Sequence, residues 1–488
     1  MKKSLRSSPR QSKQPFRTLL EKPIERRWLY LLSGCLLLAG ISAHHLKAAF
    51  ERFDSQSTSQ LRPRLSALPQ DPYIQAYFNQ SQSNVYTDSY RDISRYGDNL
   101  EQIVITAIDE ATTSIDVAVQ EFNLPLIAHA LVRSAQRGVK VRVVLENQYS
   151  DVAATDRTRD YSALPNTALT VLRDAAIPII DDTADGSKGS GLMHHKFVVI
   201  DNRQVLAGSA NFTYSGIHGD RDDSGSRGNA NALLKIESSA IAAQFATEFN
   251  QMWGDGPGNN FDSKFGIQKD RLPAQQTVMP KGGTLTLQFS PSAASQPWQA
   301  STNGLIADVL GQAQTSIDMA LFVFSEQRIA NQLQVQAAKS VEIRALIDSS
   351  FLSRSYSEAL DMLGTAIPDS QCRLEEGNEV WRSPISTVGI PELPAGDKLH
   401  HKFALIDNRT VVIGSHNWSH AANTKNDEAL LIIENPTVAA HFVREFDRLY
   451  EKAALGITPR LRNKIERAKQ RCNTSTSSNN YKSSKLFS

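Results

Sequence analysis

The apolar positions of this 488-residue chain change period along its length, and the changes mark out one order of elements twice. Residues 99–110 carry apolar side chains at helical spacing, and Ser114-Ile115-Asp116-Val117-Ala118-Val119 follows as a strand-length run. Residues 126–137 predict a second helix, stopped by Gly138. Residues 139–145 predict a strand with Lys140 and Arg142 facing outward. Some two hundred residues later the order returns. Residues 304–314 match the first helix, and Thr315-Ser316-Ile317-Asp318 reproduces Thr113-Ser114-Ile115-Asp116. Residues 327–338 match the second helix, and 341–347 the following strand. Strands alternating with helices imply a sheet covered by helices, an α/β fold built by duplication.

Each copy then leads into the same string. His194-His195-Lys196 runs through an apolar stretch to Asp201 and on to Gly208-Ser209-Ala210-Asn211; His400-His401-Lys402 runs likewise to Asp407 and Gly414-Ser415-His416-Asn417. From the serine of Ser-Ile-Asp to the first histidine is 80 residues in one copy and 84 in the other. Alternation along a strand projects His194 with Lys196, and His400 with Lys402. Asp201-Asn202-Arg203 reads as a tight turn. A hairpin there lays Gly208 and Ser209 beside Lys196 and His195, and brings Asn211 near His194. Small polar residues beside an imidazole and an ammonium suit an anion of phosphate size.

The doubled motif resembles that of the phospholipase D superfamily, over roughly residues 72–455. The resemblance implies two α-β-α sandwich domains, 72–255 and 284–455, joined by a linker at 256–283 and related by a pseudo-twofold axis. They would share one active site. There one imidazole attacks phosphorus and forms a phosphohistidine, and the other protonates the leaving oxygen. Lys196 and Lys402, with Ser209, Asn211, Ser415 and Asn417, would hold the phosphate charge, with no metal or cofactor. Asp201 and Asp407 complete the motif and are expected to fix the turn. The superfamily also places an acceptor behind each histidine. Glu428, 28 residues after His400, is expected to orient that ring, and Asn231 to serve the first copy. A carboxylate favours the imidazolium, so the expectation is His400 as acid and His194 as nucleophile. The first copy carries extra residues, Asp220-Arg221-Asp222-Asp223-Ser224-Gly225. They are similar to a calcium loop, but position twelve is Asn231 where such a loop has Glu, and a solvated loop at the site mouth is expected.

Charge and the ends of the chain refine the picture. Residues 1–27 carry a net +7 and residues 460–488 another +7, leaving −12 for the rest of a chain whose net is +2. An acidic body argues against tracking along nucleic acid. Residues 1–27 are basic and polar enough to be disordered, and so is the Ser-rich tail 460–488. Residues 28–43 form an uncharged apolar run behind Arg26-Arg27, a signal peptide or a membrane anchor. Either sends the body out of the cytoplasm to the periplasm or exterior, and an uncleaved anchor leaves it tethered. Three cysteines make neither a disulfide framework nor a zinc pattern; a Cys372–Cys472 pair stays open. The expected activity is hydrolysis or transphosphatidylation of glycerophospholipids by a monomer at a membrane surface. The alternatives are an exported nuclease on DNA or RNA, a cardiolipin-synthase-like transferase and an inactive phosphate-binding scaffold.

Overall fold

The computed structural model describes residues 61–150, 167–183, 191–258 and 262–484, with side chains as far as 473. The expected N-terminal disorder and the apolar run 28–43 lie outside the described residues. Among those described, no helix is long and apolar enough to cross a membrane.

The first half contributes β1 (Ile74–Phe78), β2 (Val85–Asp88), β3 (Ile93–Tyr96), β4 (Ser114–Val119), β5 (Lys140–Leu145), β6 (Ile179–Asp181), β7 (Lys196–Ile200), β8 (Gln204–Gly208) and β9 (Ala232–Glu237). The second contributes β10 (Gln275–Val278), β11 (Thr284–Ser290), β12 (Ser316–Leu321), β13 (Phe324–Ser325), β14 (Glu342–Ile347), β15 (Val388–Ile390), β16 (Lys402–Ile406), β17 (Thr410–Gly414), β18 (Trp418–Ser419), β19 (Glu428–Glu434) and β20 (Ala454–Leu455). Seven strands pair in the order β1-β9-β8-β7-β4-β5-β6, and the second sheet repeats that order as β11-β19-β17-β16-β12-β14-β15, with β10 and β20 added at its edges. The duplication read from the sequence is therefore a duplication of topology.

Beyond their leading lysines both motif strands are apolar, because both of their faces are covered. Phe197 and Val199 of β7 point into a central core, and Val198 and Ile200 into an outer one. In β16, Phe403 and Leu405 face the central core, whereas Ala404 and Ile406 face the outer core of the second half. The outer cores are closed by the predicted helices, found at Leu100–Asp109, Pro125–Gln136, Thr302–Gly311 and Gln327–Ala338. The inner faces carry the helices Ser239–Trp253 and Pro436–Tyr450. Those two helices and residues of both sheets share one continuous hydrophobic core, in which Phe78 of the first half stacks edge-on against Phe442 of the second, 5.0 Å between centroids. The halves are fused through apolar surface, and this fusion holds the two motifs together.

Three expectations change. Arg142 does not face solvent: its guanidinium pairs with Asp116 at 2.7 and 2.8 Å and lies over the rings of Phe249 and Trp253. Arg344 repeats this with Asp318, Phe446 and Tyr450. The 256–283 segment is more than a connector, since it buries Phe265 and Lys269 and adds β10 to the second sheet. The tail expected to be disordered is a helix, Pro459–Ser484, that buries Leu461, Ile465 and Ala468; a Cys372–Cys472 disulfide ties it to the second half. Composition alone misses such a helix because three apolar contacts and one covalent bond hold it.

Candidate active site

Asp201-Asn202 and Asp407-Asn408 adopt φ near +50° at both central positions, the two-residue turn whose twist matches the strands it joins. β7 pairs with β8 as Phe197↔Ala207, and this register carries Lys196 opposite Gly208 and His195 opposite Ser209. The Asp201 carboxylate turns away from the histidines. It accepts the N–H groups of Thr112, Thr113 and Ser114 at 2.7–3.2 Å, and Asp407 does the same for Gln314, Thr315 and Ser316. Burial raises both carboxyls, but those donors together outweigh it and hold them below the usual range. The repeated Thr-Ser-Ile-Asp is thus the anchor of the motif turn.

The two halves meet by bridging immediately before each motif. Met193 bridges Asp427, and Leu399 bridges Ala230, both parallel. The residue after each bridge is a motif histidine on one side and an acceptor on the other, so the pairs cross between halves. His194 Nδ1 meets Glu428 at 2.7 Å, and His400 Nδ1 meets Asn231 Oδ1 at 2.9 Å. The expectation that Glu428 orients His400 is corrected: sequence distance within one copy does not measure contact across a twofold. Donors from Asn426 and Ser415 on Glu428 make it the acceptor. Asn231 presents its oxygen to His400 because its Nδ2 is spent on the carbonyls of Gly216 and Asn229. Both imidazoles therefore carry the proton on Nδ1, and Nε2 keeps the lone pair.

The serines stand behind the rings rather than at a phosphate. Ser209 Oγ donates to Asn231 Oδ1 and accepts from the Ala232 N–H, while Ser415 Oγ accepts from the Ala429 N–H and bonds Glu428. Their expected phosphate contacts are thereby replaced by a role in holding the acceptors. Asn211 donates to Glu121 at 3.1 Å, and among the described residues the buried Oδ1 atoms of Asn211 and Asn417 have no hydrogen-bond partner. Lys196 Nζ bonds Gln120 and the His194 carbonyl; Lys402 Nζ bonds the His400 carbonyl and lies 4.9 Å from the Phe322 ring centre. Burial and then the charges of Lys196 and Lys402 hold His194 well below the ordinary imidazole range, and burial with the same two lysines does so for His400. Burial lowers Lys196 to about 8, and burial and Lys196 push Lys402 well down. Four basic groups crowd one buried place, an arrangement that an anion between them would relieve.

The two halves that build this site match a known family over most of the chain. The family model described as cardiolipin synthase, PLD-like domain matches residues 104–253 and again 306–450. The chain belongs to the phospholipase D-like family. Among curated relatives, mitochondrial cardiolipin hydrolase of Xenopus laevis is 29% identical over 143 residues, covering 29% of this chain and 56% of that protein. Phospholipase D of Rickettsia bellii is 28% identical over 141 residues, covering 29% and 60%. The chain thus spans little more than half the length of these relatives. The crystal structure of phosphatidylserine synthase from Haemophilus influenzae shares the fold, with a TM-score of 0.50 and 12% identity over 80% of this chain and 88% of that one.

Residues that the motif did not single out complete this phospholipase D-like site. The second histidine of each string pairs with a helix glutamate, His195 with Glu248 at 2.9 Å and His401 with Glu445 at 3.0 Å. Lys269 ion-pairs with Glu248 and Asp427 and so ties the connector to both halves. A signal for the glutamates existed: Glu-Phe recurs 17 residues after each acceptor, at 248–249 and 445–446. The 220–225 loop is held by Arg91, which donates to the carbonyls of Asp220 and Asp223. Among the described residues no cluster of three or more His, Cys, Asp or Glu could hold a metal ion.

Proposed function

We propose that this protein is a phosphodiesterase that hydrolyses glycerophospholipids, or transfers their phosphatidyl group to an alcohol, through a phosphohistidine. The observation that carries the reading is the crossed pair of Nδ1-protonated histidines with two lysines between the halves. The names of the curated relatives, cardiolipin hydrolase and phospholipase D, support a lipid substrate.

His194 Nε2 bonds phosphorus while the P–O bond to the head group breaks, and His400, protonated on entry of the anionic substrate, gives its Nε2 proton to the departing oxygen. Water or an alcohol then loses a proton to His400 and displaces His194, leaving phosphatidic acid or a new diester. In the corrected pairing the carboxylate stands behind His194, and its preference for the imidazolium would by itself make His194 the acid; we assign His194 as the nucleophile on a different ground. The Glu428 carboxylate stabilises positive charge on the ring as Nε2 is phosphorylated, much as an aspartate does for a triad histidine. Asn231 lends His400 no such charge, so its imidazolium is the stronger acid. Lys196 and Lys402 offset the charge on the non-bridging oxygens, and every part of the reaction comes from side chains. Export fits the Cys372–Cys472 disulfide, which an oxidising compartment maintains.

The test is release of free head group from mixed phospholipid vesicles by the full chain in EDTA, beside His194→Ala and His400→Ala, with a plasmid and a single-stranded oligonucleotide in parallel. Lipid turnover lost in both variants is expected. Cleavage of the oligonucleotide without lipid turnover would replace this reading with a nuclease.

A further inference from the structure

The terminal helix places two stripes side by side. Leu461, Ile465, Ala468 and Cys472 recur at helical spacing on the face against the second half, the first three buried and the last bonded to Cys372. One position before each stands a cation: Arg460, Lys464, Arg467 and Arg471, all exposed. These four face Arg354 and Asp369 across a groove of about 960 Å³. The opposite wall is built by residues 353–355 and 367–370, and the disulfide pins the helix to the loop that follows it.

Asp369 is already engaged by Arg373, and among the described residues no carboxylate pairs with Arg460, Lys464 or Arg467. Lys464 reaches Ser353 Oγ at 2.7 Å, and partial burial and the charges of Arg354 and Arg460 lower its affinity for a proton. A chain of ring contacts runs from the groove wall to the active site. Arg354 lies 5.9 Å from the ring centre of Phe351, which packs 4.7 Å from Phe322, which packs 4.9 Å from His400.

We propose that this groove binds the phosphate of an anionic phospholipid head group other than the one being cleaved, docking the His400 side of the cleft on a bilayer. Guanidinium groups with serine hydroxyls beside them suit a phosphate. A polynucleotide is the less suited occupant, because it needs a basic track and this one is confined to the terminal helix and Arg354. The extra loop of the first half carries Asp220, Asp222 and Asp223 instead. The inference rests on the phospholipid reading above.

Its test separates the two. In full-length His194→Ala protein, acetic anhydride labelling of Lys464 is compared in the presence of phosphatidylglycerol-doped vesicles, pure phosphatidylcholine vesicles, inorganic phosphate and a single-stranded oligonucleotide. Protection by the anionic vesicles, absent with phosphatidylcholine and weakened by salt, is expected. In the active enzyme, removing charge with R460Q, K464Q and R467Q should lower kcat/KM on anionic vesicles about fivefold per charge, on the order of a hundredfold together. Turnover of a monomeric short-chain phospholipid should not change. C472S, which frees the helix, should weaken the protection of Lys464. Protection by the oligonucleotide alone, by free phosphate as well as by the vesicles, or by nothing would overturn the proposal. Absence of lipid turnover in the unmutated enzyme would count against the catalytic reading and leave the labelling result legible.

Discussion

Exchanging the Glu428 carboxylate for an amide isolates the one electrostatic difference between the two halves of the site. Glu428→Gln keeps the shape of the acceptor. The other half shows that an amide oxygen can hold an imidazole, with Asn231 2.9 Å from His400 Nδ1. The charge that would stabilise an imidazolium 2.7 Å away is what disappears. Unit charges about 4 Å apart attract by about 4 kcal/mol at an effective dielectric of about 20, and an amide dipole returns part of that. A loss of about 3–4 kcal/mol in the transition state for phosphorylating His194 corresponds to a fall of about 10²–10³ in kcat, with KM little changed. The assay is rapid acid quench with a phosphate-labelled phospholipid, counting label retained on protein. Glu428→Gln should slow its appearance by that factor, and slow release of the head group equally, because both belong to one step. The fold should be untroubled, because burial already disfavours the Glu428 charge. Label appearing within tenfold of the unmutated rate would refute the reasoning. So would labelling that vanishes in His400→Ala and persists in His194→Ala.

Two other substitutions probe scaffold and charge. Asp201→Ala strips the acceptor from three backbone N–H groups at the rim of the fold, where water replaces part of it, so stability should fall by about 2 kcal/mol in urea unfolding with kcat within a few-fold of normal. A collapse in kcat at unchanged stability would instead give Asp201 a part in the chemistry. Glu358 is buried, and burial with neighbouring Asp361 pushes its carboxyl up to about 9. A folded-state value above the unfolded one means that this group increasingly opposes folding as pH rises from about 4.5 towards 9. Glu358→Gln should accordingly raise stability at pH 8 relative to pH 5 by about 2–4 kcal/mol; equal effects at both pH values would show the group to be ionised in the fold.

The sequence by itself determined what is local and what is repeated. Apolar period placed the helices of both halves and the motif strands to within a few residues, because each buried face writes its spacing into the chain. Recurrence exposed the duplication and brought forward His194, Lys196, His400 and Lys402. The turn role of Asp201 and Asp407 was legible as well, since a two-residue hairpin leaves little else for an aspartate at that position. Only the tertiary structure decided which group stands behind which histidine. That pairing comes from the Met193–Asp427 and Leu399–Ala230 bridges, contacts between residues more than 150 positions apart, and no local spacing encodes them. For the same reason Ser209 and Ser415 read as phosphate ligands until their hydroxyls were seen on the acceptors. The terminal helix completes the contrast. Its composition resembles a disordered tail, and its order comes from three apolar contacts and a disulfide to a cysteine 100 residues away.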